Sequence, residues 1–154
     1  MDYLLVERHG KDDATGELTH KGEVQIDSLV DRVQTIVGIT PDKTTIVSSM
    51  TQRARKSAEI SAKRLGLIAQ DVLFSEALFP DGETLSTNKA KELDALRTKY
   101  ANSQLLVMVG HINVADHYPT HVLRELGATQ FPGEIEKGQG VLIDIRKKTY
   151  QIVP

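Results

Sequence analysis

Leu105-Leu106-Val107-Met108-Val109 is an unbroken apolar run that stops at Gly110-His111. A strand of consecutive apolar side chains must bury both of its faces, which calls for helices above and below it and so for a mostly parallel sheet. Two further runs follow the same rule. Tyr3-Leu4-Leu5-Val6 ends against Glu7-Arg8-His9-Gly10, and the β-branched Thr44-Thr45-Ile46-Val47 ends at Ser48-Ser49. Each strand therefore delivers polar residues at its C-terminal end.

The segments between these runs read as helices. Thr19 is placed to cap a helix whose apolar positions Val24, Leu29, Val33, Ile36 and Val37 recur at helical spacing and which ends before Pro41. A second helix follows Ser48-Ser49 with Ala54, Ala58, Ala62 and Leu65 on one face and Gly66 just past its end. Asp71 to Phe74 predicts a short strand, Ser75 to Thr84 a loop around Pro80-Asp81-Gly82, and Thr87 to Tyr100 a third helix. A fourth helix is expected from about Asn113 to Leu126, closed by Gly127, with Pro119 kinking it or lying in an early turn. Val141 to Ile145 and Thr149 to Val153, about Lys147-Lys148, predict a hairpin. The expected fold class is α/β: a three-layer α/β/α sandwich with a mostly parallel central sheet and an antiparallel edge. Its 154 residues suffice for one domain, 1–154.

Charge narrows the partners. Lys plus Arg is 19 and Asp plus Glu is 21, so no general field gathers nucleic acid or an anionic membrane, and any anion site must be local. Cysteine is absent, which removes disulfides and thiolate metal sites. No apolar run approaches the roughly 18 residues of a membrane span, and the start lacks a basic leader. A cytoplasmic protein without nucleic-acid or membrane partners is expected; the sequence leaves its oligomeric state open.

In open α/β sheets ligands bind beyond the carboxyl ends of the strands, and Arg8, His9, Arg53 and His111 all fall there. Phosphoryl transfer needs a nucleophile in line with the leaving group and positive charge around the equatorial oxygens. A neutral imidazole at His9 supplies the first when its other nitrogen is held as N–H. Arg8, Arg53 and His111 supply the second, the guanidinium forks being suited to phosphate oxygens. Two arginines also oppose protonation of His9, and the turn from Ser49 to Arg53 adds backbone N–H groups at a helix N-terminus. Arg55 and Lys56 read as a solvated helix face. A competing pattern is His117-x-x-x-His121 with Asp116 nearby, two imidazoles at metal-ligand spacing; it lacks the glutamate of His-Glu-x-x-His, and Pro119 distorts the turn that must align the rings. An ordinary amphipathic helix is the favoured reading there, and no metal or cofactor is expected.

Arg8-His9-Gly10, Leu18-Thr19-x-x-Gly22-x-x-Gln25, Ser48-Ser49-x-x-x-Arg53-Ala54-x-x-Ser57-Ala58 and Val109-Gly110-His111, in this order, resemble the histidine phosphatase superfamily, the phosphoglycerate-mutase-like enzymes. The likeness runs from Val6 to about Leu126. It implies that His9 is the phosphorylated nucleophile, that Arg8 and Arg53 bind the phosphoryl group, that His111 stabilises the transferring oxygens, and that no metal is needed. The short length is similar to the small bacterial phosphohistidine phosphatase branch, which has little cap over its site. An open site suits a phosphorylated protein better than a small metabolite. A metal-independent phosphatase acting on phosphohistidine in a protein is thus expected, with a small phosphomonoester (a sugar or metabolite phosphate) as the alternative substrate and a non-catalytic phosphate-binding module as the alternative function. Mutase activity would need a lid this chain is too short to build. The resemblance also implies a glutamate in the loop after the third strand as general acid: Glu76 first, Glu83 second. Three positions depart from the pattern. Asp12 stands where relatives carry a small residue, Asn113 where they carry a small or apolar one, and Glu7 precedes Arg8, although strand alternation sends the two to opposite faces.

Overall fold

In a computed structural model that describes residues 1–154, the chain forms strands β1 (Tyr3–Arg8), β2 (Thr44–Ser48), β3 (Leu73–Phe74), β4 (Leu105–Gly110), β5 (Gly140–Asp144) and β6 (Thr149–Val153). They make one sheet of order β3-β2-β4-β1-β5-β6. β1 and β2 flank β4 in parallel and β3 joins β2 in parallel, while β5 runs antiparallel to β1 and β6 to β5. The expected mixed sheet with an antiparallel edge is the one observed. Every residue of β4, the strand with the unbroken apolar run, is buried.

Alternation along the strands sorts side chains to two faces. Leu4, Val6, Leu106 and Met108 pack with Leu93, Val114, Tyr118 and Val122. Leu5, Ile46, Val107 and Val109 pack with Ile26, Leu29, Val33, Ala54 and Ala58. Helices α3 (Thr87–Lys99) and α4 (Ile112–Glu125) thus cover one face, and α1 (His20–Val37) and α2 (Gln52–Arg64) the other, completing three layers. None of the helices is long and apolar enough to cross a membrane.

Local differences from the sequence reading have identifiable causes. Val24 and Ile36 of α1 are exposed, and the buried stripe is Gly22, Ile26, Leu29, Val30 and Val33. Gly22 sets that stripe, because a Cβ there would run into the Lys11 carbonyl oxygen and only a bare backbone can approach so closely. The third strand contracts to Leu73–Phe74 because Ala69–Asp71 winds into a tight turn whose Asp71 carboxylate accepts the Ile68 N–H at 2.9 Å. Pro119 lies in the middle of α4 rather than in an early turn. The hairpin forms with its first strand one residue earlier than expected, and Lys148 takes up the positive φ of 58° at its turn.

Candidate active site

The ends of β1, β2 and β4 are locked together by backbone bonds. Arg8 pairs with Gly110 across β1 and β4, the His9 N–H donates to Gly110 O at 3.1 Å, and the Ser49 N–H donates to Val109 O at 2.9 Å. This register sets the His9 and His111 rings edge to face with centroids 5.1 Å apart. Arg53, in the first turn of α2, reaches both. Its Nε donates to His9 Nε2 at 3.2 Å, and its Nη2 lies 3.5 Å from His111 Nδ1.

These contacts assign the tautomers. His9 Nδ1 lies 2.8 Å from the Gly10 carbonyl oxygen, which only an N–H approaches, so the lone pair sits on Nε2, the atom Arg53 faces. In His111 the lone pair is on Nδ1, toward Arg53, and Nε2–H lies 3.0 Å from Ser49 Oγ and 3.2 Å from Thr51 Oγ1. Thr51 is the N-cap of α2 but its side chain caps nothing; the hydroxyl is spent on His111. His111 itself begins α4, also without a side-chain cap. Two helix N-termini therefore present uncapped N–H groups and positive dipole ends to one place.

Both rings are nearly closed off from solvent, His9 at 4% and His111 at 3% exposure. Burial, against the Gly10 carbonyl and with Arg53, pushes His9 down to about 4. Burial, with His9 and Arg53, pushes His111 down to about 3. Both imidazoles are neutral at physiological pH, the form a nucleophile requires.

Arg8 and Glu7 leave β1 on opposite faces, as alternation requires. The Arg8 Nη1 donates to Ile135 O at 2.7 Å, and its Nε is buried with no partner. Asp116, a bystander of the metal pattern in the sequence, accepts the Ile135 N–H at 2.9 Å, so Ile135 is clamped from both sides. Glu7 is fully buried against α2 and accepts from Ser61 Oγ at 3.1 and 3.3 Å. Burial pushes its carboxyl up to about 8, with the Ser61 bond opposing, and it is largely protonated at neutral pH.

The Thr19, Gly22 and Gln25 spacing has a structural reason. Thr19 Oγ1 caps α1 by accepting the Gly22 N–H at 3.1 Å and donates to Lys11 O at 2.9 Å, while Gln25 Oε1 accepts the Lys11 N–H at 3.0 Å. Gly10 and Gly22 touch backbone to backbone, a Cβ on Gly10 meeting Gly22 O at 2.5 Å. Ser57 Oγ accepts the Gly10 N–H at 3.1 Å and donates to Arg53 O at 2.8 Å. The loop after His9 is thus fastened to α1 and α2.

His9, Arg53 and His111 are in contact, and Arg8 ends β1 with its charge felt at His111 and its guanidinium on Ile135 O; the glutamates are bonded to none of them. Glu76 lies in a short turn, Glu76–Leu78, with its side chain exposed and only its carbonyl engaged, by the Phe79 N–H at 3.0 Å and Lys89 Nζ at 3.3 Å. Glu83 is also exposed, and its carbonyl accepts from His117 Nε2 at 2.8 Å. Asn113 is buried and donates to Asp81 Oδ1 at 2.9 Å, and Lys89 Nζ lies 3.3 Å from Asp81 Oδ2, so the loop carrying both glutamates is tied to α3 and α4. His121 Nε2 turns to Asp94 Oδ2 at 2.8 Å, away from the partner of His117, so the two rings do not converge as a ligand pair. Asp94, His121 and Glu125 do cluster, but Arg97 already sits on both carboxylates, at 3.4 and 2.5 Å.

Three contributors escape the sequence reading. The hydroxyls of Ser49 and Thr51 fix His111, and Lys137 enters from the segment before β5 to meet Asp12 Oδ1 at 2.6 Å. Gly138, at φ +78°, holds that segment by donating to Arg8 O at 3.2 Å and His9 O at 3.0 Å. A lysine followed by glycine just before a strand was the available signal.

No protein-family model and no curated protein sequence matches the chain. Solved structures do match in fold. The protein histidine phosphatase SixA complexed with tungstate superposes with a TM-score of 0.66 at 16% identity, over 97% of this chain and 93% of that one. Mycobacterial glucosyl-3-phosphoglycerate phosphatase superposes with a TM-score of 0.65 at 15% identity, over 99% and 97%. The alpha-ribazole phosphatase from Shigella flexneri gives 0.64 at 15% identity, over 98% and 95%. At these identities the likeness is one of fold alone.

Proposed function

We propose that this chain, sharing the fold of the histidine phosphatases, is a metal-independent phosphatase that works through a phosphohistidine at His9 and dephosphorylates phosphohistidine in a protein. One observation carries the reading: Arg53 reaches the lone pairs of two neutral imidazoles at once, at 3.2 and 3.5 Å, while Gly10 O holds the His9 proton on the far nitrogen. Nε2 of His9 attacks phosphorus, the bond from phosphorus to the leaving nitrogen breaks, and that nitrogen takes a proton. Water then attacks the phosphorus, the bond to Nε2 breaks, and phosphate leaves with His9 restored. Arg53, the unpartnered Nε of Arg8 and the two helix N-termini bear the equatorial charge. The approaching dianion raises the proton affinity of His111, which then donates to a phosphoryl oxygen. Glu76, or failing it Glu83, is the proposed proton donor to the leaving group.

Apolar surface beside the site supports a protein substrate. Met50, between the two hydroxyl residues on His111, is 62% exposed, and Phe79, next to the Leu78 that packs on Gly110, is 50% exposed. Such side chains offer contact to a protein face rather than to a hydrophilic metabolite. A small phosphomonoester is the second reading, favoured by the glucosyl-3-phosphoglycerate and alpha-ribazole phosphatases among the matching folds. We place the protein in the cytoplasm, working as a single domain.

Trapping tests the mechanism. Brief reaction with a radiolabelled phosphohistidine protein leaves an acid-labile, base-stable phosphoryl group on His9, and undiminished turnover by His9→Ala refutes the mechanism. Comparing that substrate with sugar phosphates and nucleotides by kcat/KM decides the substrate class. Phosphate binding without any His9-dependent hydrolysis identifies a binding module instead.

A further inference from the structure

Asp12 sits three residues after the nucleophile, and its backbone bridges antiparallel to Leu18, so the fold aims its side chain. The carboxylate is only 13% exposed. Oδ2 lies 3.7 Å from Arg53 Nε and Oδ1 lies 2.6 Å from Lys137 Nζ. Burial would raise this carboxyl, but the hydrogen bond and charge of Lys137 hold it below the usual carboxylate range. It is therefore ionised, and its charge acts on both His9 and His111. The same Arg53 Nε donates to the lone pair of His9. In-line attack needs that lone pair free and the guanidinium turned to phosphoryl oxygens. An anionic carboxylate and a phosphoryl dianion cannot share one face of Arg53 without strong repulsion.

We infer that Asp12 is an internal counter-anion of this site, which a phosphoryl group must displace from Arg53, and that Lys137, freed from Asp12, becomes a third cation on the phosphoryl oxygens. The inference rests on the phosphatase reading and adds to it two residues that set how strongly the site competes for anions. Asp12 neutralises the site and keeps Lys137 beside it. The entering phosphoryl group takes over both cations.

Calorimetric titration with inorganic phosphate, at a pH where it is the dianion, tests this on the full chain. Asp12→Asn binds phosphate about tenfold more tightly than the native chain, as expected for removing one like charge from a shielded site. Its KM for p-nitrophenyl phosphate falls in proportion, with kcat changed far less. Adding Lys137→Met to Asp12→Asn cancels most of the gain. Asp12→Ser serves in place of Asp12→Asn if thermal melting shows the latter to be unfolded. Unchanged or weakened phosphate binding by a folded Asp12 variant overturns the counter-anion role, as does a double variant that keeps the whole gain. If the native chain neither binds phosphate nor shows His9-dependent turnover, the phosphatase reading itself falls; if it does both and Asp12→Asn gains nothing, only this inference falls.

Discussion

Beyond the ends of β1 and β4, Arg53 meets His9 and His111, Arg53 and Lys137 face the single carboxylate of Asp12, and the charge of Arg8 acts on His111. Between α3 and α4 the same residue types meet in another balance: Arg97 bonds Asp94 and Glu125, His121 lies 2.8 Å from Asp94, and Tyr118 donates to Asp94 at 2.9 Å with its ring stacked on His121. In the second cluster every charged group is bonded to another within the protein. In the first, cations outnumber carboxylates, an arginine donor is buried with no partner, and two helices arrive uncapped. Self-matched charge holds helices together, whereas unmatched positive charge around a neutral imidazole waits for an anion.

His9→Ala tests the contrast most severely. Turnover should drop by about three orders of magnitude or more, with the melting temperature little changed; a variant that retains native kcat destroys the contrast. Arg53→Ala should cost on the order of a hundredfold in kcat/KM. In the same variant the His9 ring, followed by nitrogen NMR, should titrate above its native value of about 4, because a cation that opposes its protonation is gone.

Glu7 separates burial from pairing. Its folded pKa of about 8 exceeds the ordinary carboxyl value of 4.5, so the folded state holds a proton that the unfolded chain releases; stability is fully present below about 4.5 and declines as pH rises to about 8. Glu7→Gln should therefore stabilise the protein by on the order of 3 kcal/mol at neutral pH and leave it unchanged near pH 4, as denaturant unfolding at the two pH values would show. Equal gains at both would assign the effect to packing instead of charge. The smallest effect belongs to the other cluster. His121→Ala should cost about 1 kcal/mol of stability, since its partners are partly exposed, and should leave kcat/KM intact, with or without a chelator in the assay. A rate loss there would make that cluster part of the chemistry.

Much of this arrangement is legible in the chain itself because three apolar runs each end on a polar motif, and a parallel sheet must bring such ends to one edge. That logic places Arg8, His9, Arg53 and His111 together without naming a single distance. It cannot place Lys137, which lies in a segment without periodicity and is held by Gly138 on the backbone of Arg8 and His9. Nor does it show that Glu7 is wholly buried, which depends on Ser61 facing it from α2. The stripe of α1 is misjudged because spacing alone ignores the glycine contact that orients the helix. The role of Glu76 rests on family resemblance and no bond in the structure, since an exposed carboxylate on a loop has no periodic signature and no packing to fix it.

The pairing of Arg8 with Gly110 has a thermal corollary. The gap between the two imidazoles is inherited from the ladder joining the two central strands of the sheet, the kind of element whose opening approaches the cost of unfolding the whole domain. On warming, loss of catalysis and loss of the native state should follow one curve, with no window in which an intact protein has come apart at its reacting rings.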